Sequence, residues 1–163
     1  RQWNVNIQYV EEDKPLGTVG SLSLISSSIK KDAIIINGDL LTKINYRSLL
    51  DFHEEKKGLI TLGVREYEYK IPYGVVEISK TKAINIVEKP SKKCFVNAGI
   101  YVLNPLAIKK IPKDTFFNIT DLMELYFEKG EVYSYPIHEY WTDIGKMENF
   151  IRADKDFDTV FRK

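Results

Sequence analysis

The sequence predicts an α/β fold, on three observations. Over the first 64 residues, apolar runs of strand length alternate with helix-period segments in the order strand, helix, strand, helix, strand. The run Ala33-Ile34-Ile35-Ile36 is rich in β-branched residues and ends abruptly in Asn37-Gly38-Asp39. That is the pattern of a strand buried on both faces that delivers a carboxylate at its C-terminal tip, where open α/β sheets keep their ligands. At 163 residues, 44% hydrophobic and 12% aromatic, the chain is long enough to bury a real core. No low-complexity tract interrupts it, and no linker divides 1–163 into more than a single domain.

Val5-Asn6-Ile7-Gln8-Tyr9-Val10 alternates with period two and predicts a half-exposed strand. The polar loop from Glu11 to Gly20 follows, closed by Gly17 and Gly20, which can bring backbone close to a ligand. A helix is expected from Ser21 to Lys30, with Leu22, Ile25 and Ile29 on one face. After the core strand, Asn45 is the expected N-cap of a helix through Leu49, Leu50 and Phe52, which Gly58 stops. Leu59 to Val64 is another apolar strand. Tyr73 to Ile78 and Ala83 to Lys89 read as a hairpin, and Val96 to Leu103 as a return to a buried run. Helices are expected over Ile119 to Glu128, ended by Gly130, and over Met147 to Phe157. The strand Val132 to Ile137 lies between them, with Pro136 arguing for an edge position.

Charge excludes one class of partner. Twenty-four Lys+Arg oppose 23 Asp+Glu, and the basic residues are scattered in pairs, so no nucleic-acid footprint is expected. The single cysteine, Cys94, rules out an internal disulfide and a cysteine zinc cluster, and is expected to be a strand residue without chemistry. No apolar run approaches the roughly 20 residues that span a bilayer, and no signal-peptide pattern opens the chain. A cytoplasmic protein with no membrane partner is the expectation. Arg1-Gln2-Trp3 opens without an initiator methionine and leads straight into a strand-like segment, which points to a piece of a longer protein.

Asp39 and Asp143 are both acids beside glycines at the ends of apolar segments. If they converge, they form a divalent-metal site, because Mg²⁺ needs only one or two carboxylates besides phosphate oxygens and waters. Each alone also fits a helix cap or turn former. In Glu88-Lys89-Pro90 the proline is expected to hold Lys89 extended, as a compact positive charge for a phosphate or as a solvated turn lysine. Gly74 and Gly99 lie within strands, where close approach of a ligand and a bulge explain them equally well. His53 and His138 lack metal-ligand spacing and are expected at the surface. Ser26-Ser27-Ser28 lacks the glycines of a nucleophile elbow.

The order of these motifs carries more than any one of them. Lys14-Pro15-Leu16-Gly17-Thr18-Val19-Gly20, Asn37-Gly38-Asp39, Tyr73-Gly74-Val75-Val76, Glu88-Lys89-Pro90, Asn97-Ala98-Gly99-Ile100-Tyr101 and Tyr140-Trp141-Thr142-Asp143-Ile144-Gly145 together resemble the sugar-1-phosphate nucleotidyltransferases, the nucleotide-sugar pyrophosphorylases. The resemblance spans essentially the whole chain and leans toward bacterial members from surface-polysaccharide clusters, some of which carry an N-terminal pair of CBS domains.

The resemblance implies a Rossmann-like nucleotidyltransferase fold with a mixed, mainly parallel central sheet, here missing its N-terminal strands. It implies nucleoside triphosphate and sugar 1-phosphate as partners and Mg²⁺ as cofactor. Asp39 and Asp143 would hold the metal, and Lys89 the sugar phosphate. Pro15, Gly17, Gly20 and Gly38 would lie along the nucleotide, while Tyr73, Gly74, Glu88, Asn97, Ala98, Gly99 and Trp141 would form the sugar site. The family's glycine-rich loop, which wraps the triphosphate in backbone N–H groups, is not in these 163 residues. The chain is therefore expected to supply the sugar-phosphate and metal half of a site and to be inactive alone. The alternative is a sugar-nucleotide-binding or regulatory domain without turnover. Missing sheet strands would expose apolar surface that invites a homo-oligomer. By analogy the donor and acceptor tilt toward guanylyl transfer onto a hexose, hexosamine or heptose 1-phosphate.

Overall fold

The structure, a computed structural model, describes residues 5–162; the opening Arg1-Gln2-Trp3 lies outside them. The chain groups into two compact units that interleave along the sequence. Unit 1 comprises Arg1–Asn37, Asn45–Leu62 and Ile100–Ser134, and unit 2 comprises Gly38–Ile44, Gly63–Gly99 and Tyr135–Lys163. No single linker separates them. A four-stranded sheet has the order β1 (Ala33–Ile36), β6 (Ser91–Leu103), β3 (Ile60–Lys70), β7 (Val132–Pro136). Pro136 falls on an outer strand of that order, as its missing N–H requires.

Unit 1 holds a dense core. Its α4 (Ile119–Phe127) carries Ile119, Leu122, Met123 and Tyr126 at helical spacing, and all four are buried against Ile60 and Leu103 among others. The Asn118 N–H donates to Asp121 Oδ2 at 2.8 Å, which fixes the start of that helix. The short α3 (Pro105–Ile108) opens on Asn104, whose side chain accepts from the Leu106 N–H. In α2 (Tyr46–Lys56), Asn45 Oδ1 accepts from the Arg47 and Ser48 N–H groups at 3.0 and 3.1 Å. Such a cap stabilises by about 1 kcal/mol. The left-handed residue that ends α2 is Lys57, at φ 57°. Gly58, expected as that stop, instead makes room for the Tyr133 ring, 2.4 Å from where its Cβ would lie.

Unit 2 holds residues 63–70 of β3 and 91–99 of β6 together with two antiparallel ribbons and one helix. β2 (Leu40–Thr42) pairs with β8 (Trp141–Asp143), Leu40 opposite Asp143 and Thr42 opposite Trp141. β4 (Val75–Ser79) and β5 (Lys82–Val87) form the expected hairpin, with an irregularity at Glu77/Ile78. The helix α5 (Met147–Val160) is fastened to the β2–β8 ribbon from the side. Tyr140 Oη donates to Asp156 Oδ2 at 2.9 Å, Arg152 donates to Thr142 Oγ1 at 3.3 Å, and Lys43 Nζ donates to the Val160 carbonyl.

Three expectations fail. Val5–Val10 forms no strand, and Val5, Ile7, Tyr9 and Val10 are all exposed: alternation makes a strand only where another strand completes its hydrogen bonds. The helix expected over Ser21–Lys30 closes after α1 (Leu22–Ile25). Beyond it Ser26 Oγ donates to the Ser23 carbonyl at 3.1 Å, the local competition that makes serine runs poor helix. The Ala33–Ile36 strand is half-buried, with Ile36 exposed, because among the described residues it lies at the end of the sheet order and pairs with β6 alone, Ala33 opposite Leu103 and Ile36 opposite Ile100. This β1–β6 pairing is antiparallel.

Candidate functional site

Strand pairing brings Asp39 and Asp143 together. Asp39 directly precedes β2, and its neighbour Leu40 pairs with Asp143. The Ile144 N–H then donates to the Asp39 carbonyl at 2.9 Å, extending the ladder past the acids. At Gly145 the N–H donates to Asp143 Oδ1 at 2.6 Å. A Cβ on Gly145 would lie 3.0 Å from Asp143 Oδ1 and 3.2 Å from Asp39 Oδ2. The two carboxylates thus converge on a space that only glycine leaves free. Both acids are exposed, so a ligand can reach them.

The donor set suits a hard cation. Two carboxylates around the space that Gly145 leaves open match Mg²⁺ completed by phosphate oxygens and waters. Among the described residues no group of three or more His, Cys, Asp or Glu could hold a metal ion, so an all-protein zinc or calcium cage is not built here.

The same unit contains Glu88, Lys89 and the Asn97–Gly99 turn. A Cβ on Gly74 would meet Glu88 Oε2 at 2.9 Å and Ile86 Cδ1 at 3.3 Å, so the group that approaches Gly74 closely is the Glu88 carboxylate. Tyr73 beside it is exposed. Lys89 is left-handed at φ 46°, not extended as the following proline led us to expect. The turn folds back so that the Ile71 N–H donates to the Pro90 carbonyl at 3.0 Å. A left-handed non-glycine residue costs about 1–2 kcal/mol, and such strain is often kept where a side chain must be aimed. Gly99 has φ 68°, which explains a glycine within β6 by backbone conformation. Its N–H donates to Asn97 Oδ1 at 2.9 Å, and the Trp141 Nε1–H donates to the carbonyl of the buried Ala98 at 2.9 Å.

Pro15, Gly17 and Gly20 belong to unit 1. Their loop is stapled to residues 115–118 by Phe117 N–H to the Leu16 carbonyl at 2.8 Å and Val19 N–H to the Phe117 carbonyl at 3.2 Å. A Cβ on Gly17 would lie 2.8 Å from the Phe117 oxygen, and one on Gly20 would lie 2.7 Å from the Thr115 oxygen. Close approach does explain both glycines, but to the protein's own backbone. Gly38 has open space around the position of a Cβ.

His138 is exposed, as expected, whereas His53 is 2% exposed, contrary to expectation. It lies on the inward face of α2, with Nδ1 2.7 Å from Thr61 Oγ1 and Nε2 3.7 Å from Asp32 Oδ2. Burial lowers its pKa below the usual 6.5, against the raising influence of Asp32 and Glu54. The sequence reading also missed the Trp141–Ala98 bond and the bracing of β8 by Arg152 and Asp156. The four-residue spacing of those two, which places them on one helix face, was the available signal.

A family model described as nucleotidyl transferase matches residues 1–159. The chain is 30% identical over 159 residues to mannose-1-phosphate guanyltransferase of Saccharomyces cerevisiae, covering 93% of this chain and 44% of that protein. It therefore spans less than half the length of that relative. Among solved structures, HddC from Yersinia pseudotuberculosis matches with a TM-score of 0.67 at 25% identity, over 94% of this chain and 68% of that one. The same protein complexed with GMP-PN matches with a TM-score of 0.62 at 26% identity, over 90% and 64%.

Proposed function

The chain belongs to the nucleotidyl transferase family, and from that premise we propose that it supplies the sugar-phosphate and metal half of a sugar-1-phosphate nucleotidyltransferase site. The supporting observation is the convergence of Asp39 and Asp143 on the space kept open at Gly145. In the reaction a phosphate oxygen of the sugar 1-phosphate attacks the α-phosphorus of a nucleoside triphosphate. The bond from that phosphorus to the bridging oxygen breaks, and pyrophosphate leaves with the electron pair. Attacking and leaving groups are both anionic, so positioning and charge neutralisation supply the catalysis, and no protein nucleophile is needed.

Asp39 and Asp143 would hold Mg²⁺, which when bound supplies charge neutralisation at the transferred phosphate. Lys89 neutralises and orients the sugar phosphate, while Glu88 accepts hydrogen bonds from sugar hydroxyls beside Tyr73 and Gly74. Asn97, Ala98 and Gly99 wall the sugar, and Gly38 borders the nucleotide. The names of the relatives favour a guanine nucleotide and mannose 1-phosphate. No helix among the described residues is long and apolar enough to cross a membrane, and together with the single cysteine this supports assignment to the cytoplasm.

The test is pyrophosphate release by the intact protein with Mg²⁺, a panel of GTP, dTTP, UTP and CTP, and a panel of sugar 1-phosphates. Turnover with one preferred pair is expected. Sugar-phosphate binding without turnover under any pair would instead identify a binding or regulatory domain.

A further inference from the structure

Trp141 and Asp143 are two residues apart in β8, so their side chains share one face of the strand, about 7 Å apart along it. Thr142 between them is buried on the opposite face and accepts from Arg152 of α5. The face that presents the Asp143 carboxylate to the cation cradle therefore also carries the indole. That indole reaches the Asn97–Gly99 turn, where its N–H is bonded to the Ala98 carbonyl at 2.9 Å. Indole has one polar donor and no acceptor. With that donor committed to Ala98, Trp141 has none left for a sugar hydroxyl.

The turn it holds is itself defined. Gly99 is left-handed, and Asn97 closes over its N–H. Ala98 is fully buried, so its carbonyl cannot turn to water without the turn moving. A shift of the turn would pull the indole, and through β8 it would pull Asp143 away from Asp39.

We infer that Trp141 is a positioning residue that couples the Asn97–Gly99 turn to the Asp39–Asp143 pair, so that a phosphorylated sugar and a divalent cation bind cooperatively. This rests on the function proposed above. Linkage makes the coupling reciprocal: the factor by which Mg²⁺ tightens the sugar phosphate equals the factor by which the sugar phosphate tightens Mg²⁺.

The experiment is calorimetry on the intact protein, titrating mannose 1-phosphate with and without Mg²⁺, and Mg²⁺ with and without mannose 1-phosphate. A coupling factor of about fivefold or more is expected for the wild type. Trp141→Phe keeps the ring and removes the N–H. It should lower that factor at least about threefold, while the affinity for either ligand alone moves by less than about twofold, a split that general loosening would not produce. An unchanged coupling factor overturns the inference. So does a tenfold loss of mannose 1-phosphate affinity without Mg²⁺, which would make Trp141 a direct sugar contact.

A second readout leaves Trp141 in place. These 163 residues hold two tryptophans, so in this chain with Trp3→Phe the emission reports Trp141. It should shift when mannose 1-phosphate binds, and shift further with Mg²⁺. A silent indole in the presence of calorimetric binding refutes the coupling. Absence of binding by any sugar 1-phosphate removes the proposed function and this inference with it, whereas binding with intact coupling in the variant removes only the role of Trp141.

Discussion

Unit 1 buries Ile60, Leu103, Ile108 and Leu122 completely, whereas the β4–β5 hairpin of unit 2 leaves Ile78, Ile84 and Ile86 at 64, 58 and 65% exposure. The contrast extends to the polar residues. In unit 1 the histidine is buried among Thr61 and Asp32, and the loop glycines serve the protein's own packing. In unit 2 the acids converge on the space that Gly145 leaves open. One region is organised to be stable. The other is organised to leave room at its acids.

The largest expected effect separates the two regions by chemistry. Asp143→Asn should cut turnover of the intact protein at least about a hundredfold by weakening the cation site, with circular dichroism and Tm unchanged. Normal pyrophosphate release by this variant would sink the metal assignment. Leu122→Ala does the opposite. It should cost about 2–5 kcal/mol of stability, read by urea denaturation, since Leu122 is fully buried in the unit 1 core. Its kcat at low temperature should stay near wild type.

Gly145→Ala comes next. Its methyl group would intrude 3.0 and 3.2 Å from the two carboxylates, so the Mg²⁺ needed for half-maximal rate should rise about tenfold. An unchanged metal requirement would mean that the cradle is not where the cation lies.

Two smaller effects test the assignment of stability to unit 1. The pKa of His53 is lowered in the fold by burial, so the unfolded chain takes up its proton first as pH falls. The stability that neutral His53 contributes is complete above about pH 6.5 and is lost as the pH drops through the lower folded value. Tm should therefore decline between pH 7.5 and 5, and His53→Gln should flatten that decline; an identical slope in the variant would place the titrating group elsewhere. Ile84→Ser on the open hairpin should change stability by no more than about 0.5 kcal/mol. A larger loss would show that the hairpin face is covered in solution, as in an oligomer.

The sequence was most readable where local chemistry decides. Asn45 and the apolar spacing of α4 specify their helices with little help from the rest of the chain, and the hairpin was legible from its alternation and short connection. Reading failed where distant partners decide. Whether Val5–Val10 becomes a strand depends on a neighbour that its own alternation cannot supply. The depth of Ala33–Ile36 depends on its place in the sheet order, and the burial of His53 on Thr61 and Asp32. The acids Asp39 and Asp143 could be nominated from their glycine neighbours, but their meeting rests on the β2–β8 register. That register joins residues about 100 positions apart, which no local pattern encodes.

The same separation has a consequence for how the protein is made. Leu40 leaves the ribosome well before its pairing partner Asp143. At about 5–20 residues per second, Asp39 waits several seconds or more for its partner acid. The core of unit 1 can close earlier, since its last strand is complete by Pro136. Any cation site at these acids therefore forms after the core of unit 1, and a chain interrupted before Trp141 would carry most of the buried core and no metal pair.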